Sequence, residues 1–568
     1  MSLQRALLTL ALGSQLQLDL ASADEPAFPA EQGKKEFWYS AGREHLRAKL
    51  DSIPELSAAL RNPAKNVILF LGDGMGPTAV TGGRIYSGQK RKKANNQESL
   101  HFERLPFSGQ AKTYAVDRHT TDSSCSATAY LGGTKAQYHT VGVGPEVAEF
   151  DCAAAGRHPV KTVAQWAVES GKWAGLVTTT RLTHATPSVL YAHTPFRYWE
   201  LPHQLPPKAK KDGCVDIATQ FVDGDVGKQL RVVFAGGRNY MTPPTVTDPQ
   251  YPDKKGLRKD KRNLVEEWKK LEGKRHYLWD AQELKTLNVD EHDYLLGLFA
   301  PSHLKYYLQA EAEKALDKQP TLTEMTEKAI EKLSQGDKGY FLLVEGGRID
   351  HGFHYNIAKS GFEEVDQFDQ AIKRALELVD TRETLVVVTA DHGHAMSLVG
   401  YAHRNVPIHG HYIEPEVLDG KPITPIIFTS GKDGMFKKTD TCVTRPDLTN
   451  EDYEKWDFKQ INFLQRQYVG SHGGMDVGVY AVGPGAHLLT GVNENTHIAH
   501  VMSFAGCIGP NEDICKEFFA GKDAEPPAKK SDSTDYKIYL IVLIALTAAT
   551  LLLLVVAMAL LVFNRKRK

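Results

Sequence analysis

The chain has 568 residues, 42% of them hydrophobic, enough to bury a large core in one big domain or two. Lys plus Arg (68) and Asp plus Glu (69) leave a formal net charge of −1, so no global charge points to nucleic acid or to an acidic partner. Six cysteines are too few for a disulfide scaffold but suffice for two bridges.

In chain order, Arg5, a moderately apolar run over 6–20 weakened by Gln15 and Gln17, and Ala21-Ser22-Ala23 read as a secretory signal over 1–23. Asn66-Val67-Ile68-Leu69-Phe70-Leu71 is a continuous apolar run, the pattern of a buried parallel strand, and it ends in Gly72-Asp73-Gly74-Met75-Gly76. The polar lead His119-Thr120-Thr121 precedes Asp122-Ser123-Ser124-Cys125-Ser126-Ala127-Thr128-Ala129, a helix start with only small side chains. A serine in such a first turn faces unpaired N–H groups and the positive dipole end, a natural anion site. Taken alone, an ordinary Asp/Ser N-cap explains the same residues.

Helical patterns follow over 162–170, 322–333 and 362–378, alternating with strand-like runs over 173–177, 340–344, 384–388 and 478–482. This alternation predicts a wound α/β fold, a large, mostly parallel sheet with helices on both faces and ligands beyond the carboxyl ends of its strands. Residues 400–468, rich in charge, Gly and Pro, read as an inserted subdomain of a catalytic domain spanning 24–520. A polar stalk over 521–537 leads to an uncharged run over 538–563 and a basic tail over 564–568. At about 1.5 Å per residue that run exceeds a hydrocarbon core of roughly 30 Å. It predicts a single-pass span with the tail in the cytoplasm and the body outside the cell membrane. A glycosylphosphatidylinositol anchor at Ser531-Asp532-Ser533 is the alternative, although only residues 534–537 would form a spacer that is normally about 8–12 residues. Outside the cell disulfides are permissible. Cys152 and Cys214 flank a span containing strands, Cys507 and Cys515 close a tight loop, and Cys125 and Cys442 are left over.

Several apolar runs end at, or are followed by, metal-type ligands. Asp350 and His354 stand at i,i+4 on one helix face, and His472 is a third donor, a mixed set that suits zinc. Asp391 and His392 sit at a strand end, and Asp73 can bridge two ions. Glu345 and Thr186 offer oxygen only, a hard-cation set. Each of these has an ordinary structural explanation; together they favour metals.

Leu71-Gly72-Asp73-Gly74-Met75-Gly76, Asp122-Ser123 before Ala127-Thr128-Ala129, Val344-Glu345-Gly346-Gly347-Arg348-Ile349-Asp350-His351-Gly352 and Thr389-Ala390-Asp391-His392 resemble the alkaline phosphatase family, most closely its animal membrane-bound branch. The resemblance implies zinc- and magnesium-dependent hydrolysis of small phosphate monoesters through a phosphoserine at Ser123. It implies one zinc on Asp350, His354 and His472, and a second on Asp73, Asp391, His392 and Ser123. Magnesium would take Asp73, Thr186 and Glu345, with His184 close by, and Arg197 would grip the phosphate. It also implies a homodimer with the insertion as a crown and Phe37-Trp38-Tyr39 in an arm reaching the partner. Vertebrate members carry a further calcium site; here the matching stretches read Asp248-Pro249-Gln250-Tyr251-Pro252 and Leu298-Phe299-Ala300-Pro301, with Gln319 at the third position, so no calcium is expected.

Competing readings are a relative acting on diesters or sulfate esters and a catalytically inactive cell-surface receptor. A sulfatase would need Cys-x-Pro-x-Arg, which Cys125-Ser126-Ala127-Thr128-Ala129 is not, and a receptor has no reason to keep every ligand. No Gly-x-Ser-x-Gly, P-loop or His-Glu-x-x-His occurs.

Overall fold

A computed structural model describes residues 30–52, 62–92, 98–415, 419–432, 437–438, 443–444, 447–465 and 469–520. The expected leader, stalk, membrane span and tail, and Cys442, lie outside the described residues. Among those described, no helix is long and apolar enough to cross a membrane. The chain divides into two units, residues 1–516 and 517–568, and the first contains the whole central sheet.

That sheet has ten strands. In chain order they are β1 (Asn66–Gly72), β2 (Phe107–Lys112), β3 (Trp173–Arg181), β4 (Val232–Gly236), β5 (Arg275–Leu278), β6 (Tyr294–Leu298), β7 (Tyr340–Gly346), β8 (Thr384–Ala390), β9 (Val477–Val482) and β10 (Gly491–Glu494). Their spatial order is β10-β2-β9-β8-β1-β7-β3-β4-β6-β5. β1 lies between β7 and β8, parallel to both, with Leu71 level with Glu345 and Thr389. β9 alone runs against its neighbours, β2 and β8. β1, β7 and β8 are buried along their whole length, which is why they read as unbroken apolar runs rather than alternating ones.

The helices that frame the core and the site are α1 (Lys35–Ser52), α2 (Pro77–Lys90), α3 (Ser123–Gly132), α4 (Leu322–Leu333), α5 (Arg348–His354), α6 (Ala358–Leu378) and α7 (Thr496–Ala505). α4 opens with a full capping box, Thr321 and Glu324 satisfying each other's backbone N–H. It packs on α6, and α6 packs on α2. α3 is buried at every position, which only its small side chains allow, and it stops at Gly133 in the left-handed conformation (φ 75°). α1 lies on α7 of its own chain, with Trp38 buried and the Tyr39 ring against His500. The segment Phe37-Trp38-Tyr39 therefore has a packing place within this chain.

β3 runs past the expected 173–177 to Arg181, because the β-branched Thr178 and Thr180 hydroxyls both reach the Glu345 carboxylate on β7. β2, β4, β5, β6 and β10 are not expected from sequence; β2 alternates in exposure and β5 is mostly half-buried, so neither forms an apolar run. The inserted segment builds its own three-stranded sheet from Met396–Leu398, Ile426–Gly431 and Asn462–Gln465, starting just before residue 400. Both expected disulfides are present, Cys152–Cys214 and Cys507–Cys515. Cys125 is a buried free thiol packed with Ala115 and Ala136.

Candidate active site

The start of α3, the helix α5 and the segments carrying Arg197 and His472 line one cavity of about 1110 Å³, and the carboxyl ends of β1 and β8 lie behind its Ser123. At its floor Ser123 is the first residue of α3. The Asp122 carboxylate caps that helix, accepting from the Ser124 and Cys125 amides (both 3.4 Å), from the Ser124 hydroxyl (2.8 Å) and from the His139 amide (3.1 Å). Burial alone would raise the Asp122 carboxyl, but Arg197 and His139 outweigh it and hold the group well below the usual carboxylate range. Arg197 Nη1 donates to Asp122 Oδ2 at 2.7 Å.

Ser123 Oγ stands 3.2 Å from His392 Nε2 and 3.5 Å from Asp73 Oδ1. Asp73 follows β1 and Asp391 follows β8, so the parallel register brings them side by side. Between them Gly74, in the left-handed region (φ 68°), turns its N–H onto Asp391 Oδ1 at 2.9 Å. A Cβ there would meet the His394 ring at 2.6 Å.

The imidazoles are aimed by their far nitrogens. His354 Nδ1 donates to the Gly470 carbonyl (2.7 Å), His472 Nδ1 to that of Thr121 (3.0 Å) and His392 Nδ1 to that of Gly393 (3.1 Å). Each Nε2 then carries its lone pair inward. His354 Nε2 and His472 Nε2 face each other at 3.0 Å, and lie 3.3 and 3.6 Å from Asp350. Burial pushes His354 down to about 4 and His472 well below its ordinary value, so both are neutral donors.

Two lone pairs so close repel unless a cation lies between them. The carboxylates show the same deficit. Asp73 Oδ2, Asp391 Oδ2, Glu345 Oε1, Thr186 Oγ1 and His184 Nδ1 are buried without a hydrogen-bond partner. Burial raises Asp73 far above its ordinary value, and Asp350, Asp391 and Glu345 raise it further; Glu345 is pushed up to about 7 by burial. Such a carboxylate cluster is stable as anions only beside cations. Three candidate metal groups lie here: Asp350, His392, His394 and His472; Asp73, Asp391 and His392; and Asp73, His184 and Glu345.

The sequence-predicted residues are thus brought together, and two histidines join them that sequence reasoning missed. His394 Nε2 donates to Asp350 Oδ1. It lies across from His472 where Gly393–His394 pairs with His472–Gly473. Its signal was the second His of Asp391-His392-Gly393-His394. His303, in the loop after β6, stacks edge-on with His184 and His351 at 5.0 and 4.4 Å. No motif marks it. The His184, His303 and His351 group is ringed by guanidiniums: Arg181 reaches His303, Arg197 reaches His184 and Arg348 reaches His351. Burial lowers all three imidazoles and the charged groups around them lower them further, so all three are neutral, and they form a fourth group close enough together to hold an ion.

At the positions matched to the calcium site the donors are already engaged. Gln250 accepts from Arg238 Nη2 (3.0 Å) and donates to the Lys318 carbonyl (2.7 Å). Gln319 bridges the Lys305 amide and carbonyl (2.9 and 3.1 Å). The Ala300 carbonyl accepts from the Gly237 and Arg238 amides (2.9 and 3.1 Å). The Lys305 and Lys318 ammonium groups lie 5.6 and 5.7 Å from the Tyr251 ring. This donor set does not fit a divalent cation.

Residues 64–508 match the family model described as alkaline phosphatase. The chain belongs to the alkaline phosphatase family. That is a family of phosphoric monoester hydrolases. An alkaline phosphatase of Gadus morhua is 40% identical over 493 residues, 85% of this chain and 99% of that one. The tissue-nonspecific alkaline phosphatase of Gallus gallus is 40% identical over 497 residues, 86% and 92% of the two chains. Among solved structures, the alkaline phosphatase of Thermus thermophilus has a TM-score of 0.55 at 21% identity, covering 78% of this chain and 91% of that one. The alkaline phosphatase of the Antarctic bacterium TAB5 has a TM-score of 0.51 at 22% identity, covering 78% and 99%. At that identity the structural likeness speaks to the alkaline phosphatase fold alone.

Proposed function

We propose that this chain hydrolyses phosphate monoesters through a phosphoserine at Ser123, using two zinc ions and one magnesium ion per subunit. The observation that carries the reading is the set of buried, unpartnered oxygens of Asp73, Asp391, Glu345 and Thr186, together with the inward-turned Nε2 atoms of His392, His354 and His472. Asp350, His354 and His472 would hold one zinc; Asp73, Asp391, His392 and Ser123 the other; Asp73, Thr186 and Glu345 the magnesium, with His184 beside it. When bound, the zinc pair supplies positive charge beside both the attacking and the leaving oxygen of an in-line displacement.

The remaining chemistry belongs to the chain's own groups. Ser123 Oγ gives up its proton to solvent and attacks phosphorus, forming the Oγ–P bond as the ester P–O bond breaks, and the departing alkoxide takes one proton back from solvent to leave as the alcohol. A second in-line attack by water breaks the Oγ–P bond and frees inorganic phosphate. Arg197, held by Asp122, offers its planar fork to two non-bridging oxygens. The positive dipole end of α3 points at the same group. A dianionic monoester suits this pocket better than a diester carrying one charge.

Hydrolysis of a simple aryl phosphate by the full-length protein tests the reading. Activity should vanish with a chelator and return with zinc plus magnesium. Chelator-insensitive turnover, or a fully metal-loaded protein without turnover, would refute it. The catalytic unit would act outside the cell, as a homodimer held to the membrane by 538–563 and without calcium. Release of activity from cells by phosphatidylinositol-specific phospholipase C would overturn that anchor.

A further inference from the structure

Two large aromatic side chains at the mouth of the cavity are left half in solvent. Tyr198 is 47% exposed and Tyr355 49%. Both line the cavity that holds Ser123 and Arg197. Each follows directly on a residue of the site: Tyr198 on Arg197, and Tyr355 on His354 at the end of α5.

Tyr198 is held from within. Its ring lies 5.4 Å from the Arg197 guanidinium and meets His139 and Phe196 edge-on at 5.4 and 5.2 Å. His139 in turn lies against Tyr138, at 3.7 Å between ring centres, and Tyr138 also lines the cavity. One side of the mouth is therefore a supported aromatic shelf, and Tyr355 stands on the helix end that carries the other ligands. Neither tyrosine is needed to fix the metals or the serine. Once phosphate sits at Ser123 and Arg197, the leaving group is the part of the substrate that remains in reach of both.

We infer that the mouth is a leaving-group subsite, in which Tyr198 and Tyr355 select phosphate monoesters whose alcohol carries a flat aromatic ring. The inference rests on the phosphomonoesterase reading of the site. A π-face is favoured there because stacking on a pre-fixed ring costs little ordering and does not depend on the substituents of the stacked ring. Aliphatic alcohols gain only ordinary contact area.

The test compares adenosine 5′-monophosphate with ribose 5-phosphate on the full-length enzyme. Both lose a primary alkoxide from the same sugar carbon, so the ratio of their kcat/KM values reports the base and not the bond being broken. The ratio also cancels any loss common to both substrates. Wild-type enzyme should favour the nucleotide by about tenfold, the scale of one base–aromatic stack. Tyr198→Ala with Tyr355→Ala should bring the ratio to within about twofold of one, while the double Phe variant, which keeps both rings, should hold it near the wild-type value. Continued hydrolysis of ribose 5-phosphate reports that the variants are folded. A wild-type ratio near one, or a ratio unmoved by the double Ala variant, would overturn the subsite and leave the hydrolase reading standing. Failure of wild-type enzyme to hydrolyse either ester would instead overturn the hydrolase reading, and the subsite with it.

Discussion

The Asp122 carboxylate holds both the first turn of α3 and the guanidinium of Arg197, the latter at 2.7 Å. The helix that presents Ser123 and the side chain that faces it across the pocket are thereby one rigid unit. The two residues should nevertheless fail differently. Ser123→Ala should lower kcat for an aryl phosphate at least a thousandfold and abolish the phosphoenzyme, with Asp73, Asp391 and His392 left to hold the second metal. Arg197→Ala should mainly raise KM and the inhibition constant for inorganic phosphate, by about 10- to 100-fold, the scale of a charge-assisted hydrogen bond. Steady-state kinetics with phosphate as inhibitor separates them, and phosphate trapped covalently on the Ser123→Ala protein would contradict the assignment.

His394 should matter through Asp350. Its removal in His394→Ala frees an Asp350 oxygen that is otherwise oriented. Loss of such an outer partner typically weakens metal binding about 10- to 100-fold. Zinc retention against a graded chelator series, read by elemental analysis, should drop accordingly. Equal retention in variant and wild type would rule the role out.

Calcium should neither stabilise nor activate this enzyme. Gln319 is buried and both of its polar ends are used. Gln319→Ala would strand the Lys305 amide and cost about 1–3 kcal/mol. Thermal unfolding with and without added calcium should give the same midpoint in wild type. A rise with calcium would show that neighbouring acids rebuild a site.

Acid should loosen the packing of α1 on α7. Burial holds His497 down to about 3 and His500 to about 4, against an ordinary value of 6.5. The unfolded chain therefore takes up these protons as pH falls below about 6.5, while the folded chain resists until far lower. Stability is full above that value and declines steadily as pH falls towards 4. By about pH 5 each histidine contributes roughly 2 kcal/mol of penalty. Replacing both by Gln should shrink the difference in melting temperature between neutral and acid buffer. An unchanged difference would place the acid sensitivity elsewhere.

How much of this could be read from the sequence depends on what each residue answers to. β1, β7 and β8 are buried on both faces, so their runs are visible without any partner, and the ligands at their ends come with them. α3 was legible because small residues leave few other uses for such a stretch. β5 is half-buried and β2 alternates, so their place follows from the neighbour each pairs with, which no local pattern records. His394 carries a faint signal, one residue beyond a recognisable ligand. His303 carries none, since it meets His184 and His351 only after three distant segments have been packed together.

The donors around Ser123 are spread from Asp73 in the turn after the first strand of the sheet to His472 just before the ninth. A chain still emerging from the ribosome lacks its last imidazole until most of the polypeptide has been made. No early fragment can hold the complete donor set, so metal loading must follow synthesis of nearly the whole chain. On the proposed placement outside the cell, that puts metal acquisition after the chain has crossed the membrane. Under that proposal, metal supplied where the finished chain folds, rather than in the cytosol, would set the yield of active enzyme.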